Sequence, residues 1–466
     1  MAWKKVFVWM ACVGGVACSA AEVTEPAPVE IKAKRVRGGN PIVDINPDPA
    51  IVEINLTARE ALVALEDGSI TRMYAFNGTV PGPLIEANVG DELIVHFTNE
   101  LPEPTTIHWH GMRVPNAMDG TPRVQTPVAP GESFEYRFVI PDAGTYWYHP
   151  HVRTHEQVER GLYGPLVVHD PVYDPEYDAE RVIVLDDIRV DDDAQIAAFN
   201  PARDGMHGRS GNYLLSNGRR YDLARATAAL GSLERWRLIN SANARRMILG
   251  LTHGTMKVIA TDGGLLHTPV EVERLSLAPG ERYDIEIRLN QPEHELISYV
   301  FALDEDNEVV ELPFSMLHID TQARKSGERA AKGVFDWPEL PPLPEREVTR
   351  VETIQFDGIN DPDKGLRWRL NGRDDWDEPM FTFSKGDTVK ILLRNRGGPE
   401  HPFHLHGQFF RVLDPAIPGL KDTVLVPGMS TVEIEAYFDN VGHWMAHCHI
   451  LEHAALGMMA SVEVVQ

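Results

Sequence analysis

The chain has 466 residues, 43% hydrophobic and 24% charged, an ordinary soluble composition with length for two to four domains. A formal charge of -25 argues against nucleic acid, whose phosphates demand stripes of Lys and Arg. An acidic, solvated surface keeps such a protein dispersed and says little about substrate.

The chain opens MAWKKVFVWMACVGGVACSAAE, with Lys4 and Lys5 before an apolar run from Val6 to Ala17. That pattern predicts a secretion signal over 1–21, too short to span a bilayer as a permanent helix. Two exits are open. Cys18, preceded by Val16-Ala17, resembles the cysteine at which bacterial lipoproteins are cut and lipidated, although Gly15 stands where Leu is usual; cleavage near Ala20 or Ala21 would instead release a soluble protein. Cys12 leaves with the signal, so Cys448 is the one thiol of the folded part and no internal disulfide is expected.

After a linker over 22–44, one pattern recurs three times. GDELIVHFTNELPEPTTIHWHG (90–111), GSLERWRLINSANARRMILGLTHG (231–254) and GDTVKILLRNRGGPEHPFHLHG (386–407) each open on Gly. Each continues as an alternating strand to Asn and closes on His-Gly. APGESFEYRFVI, APGERYDIEIRL and VPGMSTVEIEAY follow, each a Pro-Gly turn before another alternating strand. Short strands at this spacing predict an all-β chain of three tandem sandwiches over 45–172, 173–320 and 347–466, with few helices. The charged, Pro-rich stretch 321–346 reads as a linker.

Histidines cluster only in the outer copies: His108 and His110, His149 and His151, His401, His404 and His406, His447 and His449. With 19 histidines, chance gives roughly 0.7 pairs at i,i+2; four occur. Such a pair on a strand directs both imidazoles to one face, as a shared metal cluster requires. Cys448, on or just after the strand that follows Thr431–Phe438, points opposite to His447 and His449, so neighbouring residues could serve two centres. Cys448 with His453 and Met458 is most of a blue-copper ligand set, and His401, in the same copy, supplies the second imidazole. Zinc would want a second cysteine, and none is available. The eight other clustered histidines, four from each outer copy, could meet only at an interface between them.

These motifs resemble those of the multicopper oxidases, specifically the three-domain bacterial laccase and copper-efflux-oxidase type, over essentially the whole mature chain. The resemblance implies cupredoxin-like Greek-key sandwiches and four copper ions, one type 1, one type 2 and two type 3. Carried over residue by residue, it implies a type 1 site of His401, Cys448, His453 and axial Met458. It places His108 and His404 at type 2, and His110, His149, His151, His406, His447 and His449 at the type 3 pair, between sandwiches 1 and 3. Single electrons would pass from Cys448 through the adjacent backbone to His447 and His449, and dioxygen would be reduced to two waters. Asp119 matches a carboxylate that supplies protons in relatives; the plainer reading is a turn-capping Asp before Gly120. Relatives commonly carry an acid after the last type 1 histidine, where this chain has Ala454; either Glu452 or another acid serves instead, or the proton route is different and slower.

Within this family the type 1 imidazole is expected to offer an exposed edge, and what covers it selects the reductant. The fourteen methionines are scattered, no methionine-rich insertion lies between Asn371 and His401, and Glu400 is the single acid beside a type 1 ligand. A laccase-like oxidase of phenols or aromatic amines is therefore expected, with oxidation of Cu(I) or Fe(II) as the alternative and a copper nitrite reductase or copper-free periplasmic scaffold as weaker readings. The remaining expectations are a small-molecule reductant, no nucleic acid, no transmembrane helix in the mature chain, export to the periplasm or beyond, and a monomer. His96, His155, His169, His207, His253, His267, His294, His318 and His443 are assigned to the surface or to satisfied interiors, with His253 as a repeat relic without partners. Asp191-Asp192-Asp193 reads as a solvated loop.

Overall fold

The three Asn residues that end the repeated strands show why the pattern recurs. Asn99 Oδ1 accepts from Leu101 N (2.9 Å) while its amide donates to the Glu103 and Val128 carbonyls (2.9 and 2.8 Å). Asn240 does the same with Ala242 N, Arg245 O and Leu277 O, and Asn395 with Gly397 N, Pro399 O and Val426 O. Each side chain thus satisfies backbone groups freed where the chain leaves one sheet for the other, as buried polar groups require.

The computed structural model describes residues 36–65, 68–303, 308–323, 337–343 and 345–466. The signal over 1–21 with Cys12 and Cys18, much of the 22–44 linker and most of 321–346 lie outside the described residues.

Among these residues the strands form six sheets. The first sandwich pairs Ile70–Phe76, Ile51–Ala64, Glu92–Asn99 and Ser133–Val139 in one sheet, and Ile85–Asn88, Gly164–His169, Gly144–His149 and His108–His110 in the other. The last pairs Pro379–Ser384, Met459–Val465, Gly442–Cys448, His401–Leu405 and Thr423–Val426 in the sheet that bears its histidines. The middle sandwich is built from an eight-stranded and a five-stranded sheet. Residues alternating along each strand fill three separate cores, around Trp109 and Tyr148, around Trp236 and Leu249, and around Trp368, Phe403 and Met458. The described helices are short: Thr154–Gln157, Pro201–Asp204 and Leu451–Ala455 are α-helical.

Polar side chains join the sandwiches. Arg113 binds Asp142 in its own sandwich and Asp439 in the last. Asn116 Nδ2 donates to His443 O (2.7 Å), and Asn440 Nδ2 to Val114 O (2.9 Å). The middle sandwich reaches the last through Thr261 Oγ1 to Leu420 O (2.8 Å) and the Arg282 guanidinium on the Asp422 carboxylate (2.8 and 2.6 Å).

Candidate metal centres

Strand register assembles the histidines. His108 lies directly opposite His149 on neighbouring antiparallel strands, and His404 opposite His447, with Phe403 opposite Cys448. Alternation sends Cys448 into the core of the last sandwich and its two neighbours the other way.

On the inner side, His401 Nδ1 and His453 Nδ1 are 3.1 Å apart, and each is 3.6 Å from Cys448 Sγ. All three residues are buried. Met458 is buried in the same core; its N–H donates to His453 O (2.9 Å), and its carbonyl accepts from Cys448 N (3.1 Å).

On the other side, eight histidines meet across the first and last sandwiches. His110, His149 and His449 bring their donor atoms within 4.8 Å of one another, and so do His151, His406 and His447. His108 stacks on His406, and His110 on His404, each with ring centroids 3.9 Å apart. His447 and His449 therefore place the two neighbours of Cys448 in different halves of the cluster.

The donor chemistry fits metal ions. Nitrogens bound to one first-row ion at about 2.0–2.1 Å each stand about 3 Å apart, and His406 Nε2 and His447 Nε2 are 3.2 Å apart, His149 Nε2 and His110 Nδ1 3.4 Å. His108 Nδ1 donates to Asp119 O (2.8 Å) and His404 Nδ1 to Asp422 O (3.0 Å), which turns both Nε2 lone pairs inward. Those two nitrogens, with His151 Nε2 and both ring nitrogens of His449, are buried without a hydrogen-bond partner. Burial pushes His401 and His447 down to about 3, neighbouring imidazoles adding to the effect at His447, and pushes the Cys448 thiol up. Neutral imidazoles are ready ligands, and a thiolate in so dry a place needs a cation.

Carboxylates hold the outer nitrogens. Asp119 is fully buried and sits 3.0 Å from His406 Nδ1 and 3.3 Å from His108 Nδ1. Its carboxylate meets these two imidazoles. Asp422, which the sequence reading missed, lies 3.2 Å from His110 Nε2 and 3.3 Å from His404 Nδ1. Burial opposes its ionisation, yet Arg282 holds the carboxyl well below its usual range. Arg282 was missed as well. The available signal was Lys421-Asp422, a charged pair inside the apolar run LKDTVLV.

Glu452 is buried, accepts from Asn243 Nδ2 (2.8 Å) and lies 3.3 Å from Arg209 Nε. Burial raises its pKa against the pull of Arg209. The structure bonds one Glu452 oxygen to Arg209 and Asn243 and leaves the other buried without a partner. Ala454 is buried on the same short helix.

Two expectations change, for the type 1 edge and for His253. His401 and His453 are both 0% exposed, so the type 1 candidate offers no open imidazole edge. Glu400 is bound by Arg246 at 3.1 Å, which compensates its charge. His253 has a partner after all: its ring stands edge-on to His294 at 5.7 Å. Of the other unassigned histidines, His96, His169, His318 and His443 meet carboxylates, His267 meets Pro341 O and His155 packs on Phe199. Asp191 closes its own turn, accepting from Asp193 N and Gln195 N.

Three segments, residues 57–172, 182–308 and 345–466, match family models described as multicopper oxidase. The chain is 30% identical to Multicopper oxidase MmcO of Mycobacterium tuberculosis over 98% of its own length and 94% of that protein. It is likewise 30% identical to Multicopper oxidase mco of Staphylococcus epidermidis, covering 88% of each. Among solved structures it is similar to a Campylobacter jejuni multicopper oxidase described as a metallo-oxidase (TM-score 0.78, 27% identity, 93% and 95% coverage). It is similar too to a laccase-like CueO from Ochrobactrum sp. with oxidase activity towards lignin model compounds (TM-score 0.78, 27% identity, 91% and 99% coverage).

Proposed function

The chain belongs to the multicopper oxidase family, and on that premise we propose that His401, Cys448, His453 and axial Met458 hold the type 1 copper of a laccase-like enzyme. His108 and His404 then hold type 2, and His110, His149, His151, His406, His447 and His449 the type 3 pair. As a member of the family the chain is a cupredoxin-like oxidoreductase that uses dioxygen as acceptor and binds type 1, type 2 and type 3 coppers. Bound copper supplies the one-electron chemistry, accepting electrons from a reductant and delivering four to dioxygen to give two waters.

The chain's own residues set distance, tautomer and proton supply. One observation carries the reading: Cys448, in the inner triad, is bonded through backbone to His447 and His449, which enter opposite halves of the eight-histidine cluster. Backbone carbonyls and carboxylates on the outer nitrogens fix which nitrogen faces inward. Asp119, against both His108 and His406, is the proton-supplying acid. Glu452 is the second candidate, standing on the last short helix beside Ala454.

Phenols or aromatic amines are the reductants this reading favours. Arg246 compensates Glu400, which weakens the case for a cation site there, whereas the similar metallo-oxidase keeps Cu(I) or Fe(II) as the second reading. Oxygen uptake by the copper-loaded protein should be faster with a dimethoxyphenol than with Cu(I) or Fe(II), after correction for autoxidation. A metal ion driving the faster uptake would reverse the assignment.

The proposal includes domain limits at 45–172, 173–320 and 347–466, and an exported monomer with lipidation at Cys18 as one possible anchor. Among the described residues no helix is long and apolar enough to cross a membrane.

A further inference from the structure

The imidazole of His453 is closed off by a segment of the middle sandwich. His453 Nε2 donates to the backbone carbonyl of Met206 at 3.3 Å. Met206 itself is 45% exposed and His207 beside it is exposed too. The peptide between a buried ligand candidate and the solvent is therefore one residue thick.

That segment is clamped. Asp204 is buried and gripped by Arg189 (2.7 Å) and Arg203 (2.7 and 2.8 Å). Gly205 O accepts from Trp368 Nε1 at 2.8 Å, and the Trp368 ring lies against both His401 and His453, with centroids 5.0 and 4.7 Å apart. A Cβ on Gly208, whose φ is +76°, would sit 2.3 Å from Ala244 Cβ and 2.7 Å from Ile450 Cγ2. The loop cannot lie closer to the last sandwich, and its hydrogen bonds stop it lifting away.

We propose that Met206 is the electron port of this oxidase: the reductant rests on the exposed Met206 side chain, and its electron reaches His453 through the Met206 carbonyl. The proposal rests on the type 1 assignment above. A thioether favours contact with an aromatic ring, so the port suits a planar, electron-rich phenol. The phenol loses one electron to the protein and its hydroxyl proton to water, leaving as a phenoxyl radical. The carbonyl also fixes the His453 tautomer and strengthens the imidazole as a donor, as partners on the outer nitrogen of metal-bound histidines do.

The test uses the full chain labelled with 13C-methyl methionine, with copper loaded and then held reduced. Adding 2,6-dimethoxyphenol should move the Met206 methyl resonance upfield by ring current, with Met206→Ala assigning the peak. Met206→Ala should raise KM for the phenol about three- to tenfold, the worth of a sulfur–aromatic contact, with a smaller change in kcat. Trp368→Phe frees Gly205 O and loosens the cap; equilibrium redox titration of the blue absorption should show a raised potential. A Met206 methyl that does not respond, with unchanged KM, overturns the port. Absence of any blue absorption in the copper-loaded wild type overturns the type 1 assignment instead, so the two failures are distinct.

Discussion

Ala129-Pro130-Gly131 and Ala278-Pro279-Gly280 are the same turn in sequence and opposite in setting. Gly131 (φ +81°) has nothing within 4 Å of where its Cβ would be, whereas a Cβ on Gly280 (φ +85°) would meet the His449 ring at 2.8 Å and His110 at 3.1 Å. The closing glycines invert this: Gly254 in the middle sandwich faces open space, while Gly111 and Gly407 are crowded by Arg282 and by Trp444. The middle sandwich lacks a clustered histidine set of its own, and its turn has become a wall of the site its neighbours share. The same sandwich caps His453 through Met206. A repeat that adds no residue to either the eight-histidine cluster or the group of His401, Cys448 and His453 thus packs against both.

The largest expected effect belongs to a proposed ligand. Cys448→Ser should abolish the blue thiolate-to-copper absorption and all oxygen reduction, read by spectrum and oxygen electrode. Asp119→Asn, which keeps the shape beside His406 and His108 but not the charge, should lower kcat by roughly 10²–10⁴-fold, the usual range for losing a proton-transfer group. Arg282→Met tests the middle sandwich's reach. It leaves Asp422 buried against His110 and His404 without its guanidinium, a loss of about 3–5 kcal/mol for a broken buried pair. Denaturant melts should show that loss, and copper analysis should show depletion at the histidine cluster with the blue absorption retained. The matching position in the first sandwich is Ser133, whose hydroxyl meets Thr98 on the exposed face at 3.1 Å; Ser133→Ala should stay within about 0.5 kcal/mol of wild type.

The contrast between turns also marks what a sequence can carry. Alternation, the Asn at each strand end and the four His-x-His pairs are local patterns, and they predict the three sandwiches and bring the clustered histidines together. Geometry between sandwiches is not local. APGES and APGER differ by one residue, and nothing in either says that Arg282 reaches Asp422 or that Gly280 lies on His449. Nor does the segment Asp204–Gly208 announce that its carbonyl covers His453, because a backbone acceptor leaves no signature in side-chain identity. Asp119 was legible through family resemblance, since its position beside Gly120 fits a simple turn equally well.

A pH-dependent effect concerns how the middle sandwich holds the first. Tyr163 donates its hydroxyl to Asp186 on the strand Ala179–Ile188. Burial pushes the Asp186 carboxyl up to about 8 from an ordinary 3.8, with Asp187 adding to the shift and the hydrogen bond from Tyr163 opposing it. A folded pKa above the unfolded one means that folding takes up a proton between those two values. Its contribution to stability is complete below about pH 4 and is lost as pH rises through 8. One such group sets a slope of at most about 1.4 kcal/mol per pH unit. Asp186→Asn keeps an acceptor for Tyr163 and cannot titrate, so its melting temperature should vary less with pH than that of the wild type between pH 4 and 8. Glu159, which burial also raises, acts with the same sign in both proteins and cancels in the difference. Parallel curves would show that Asp186 is ionised in the folded chain, and the junction would then be held by a charged contact with Tyr163 rather than a neutral one.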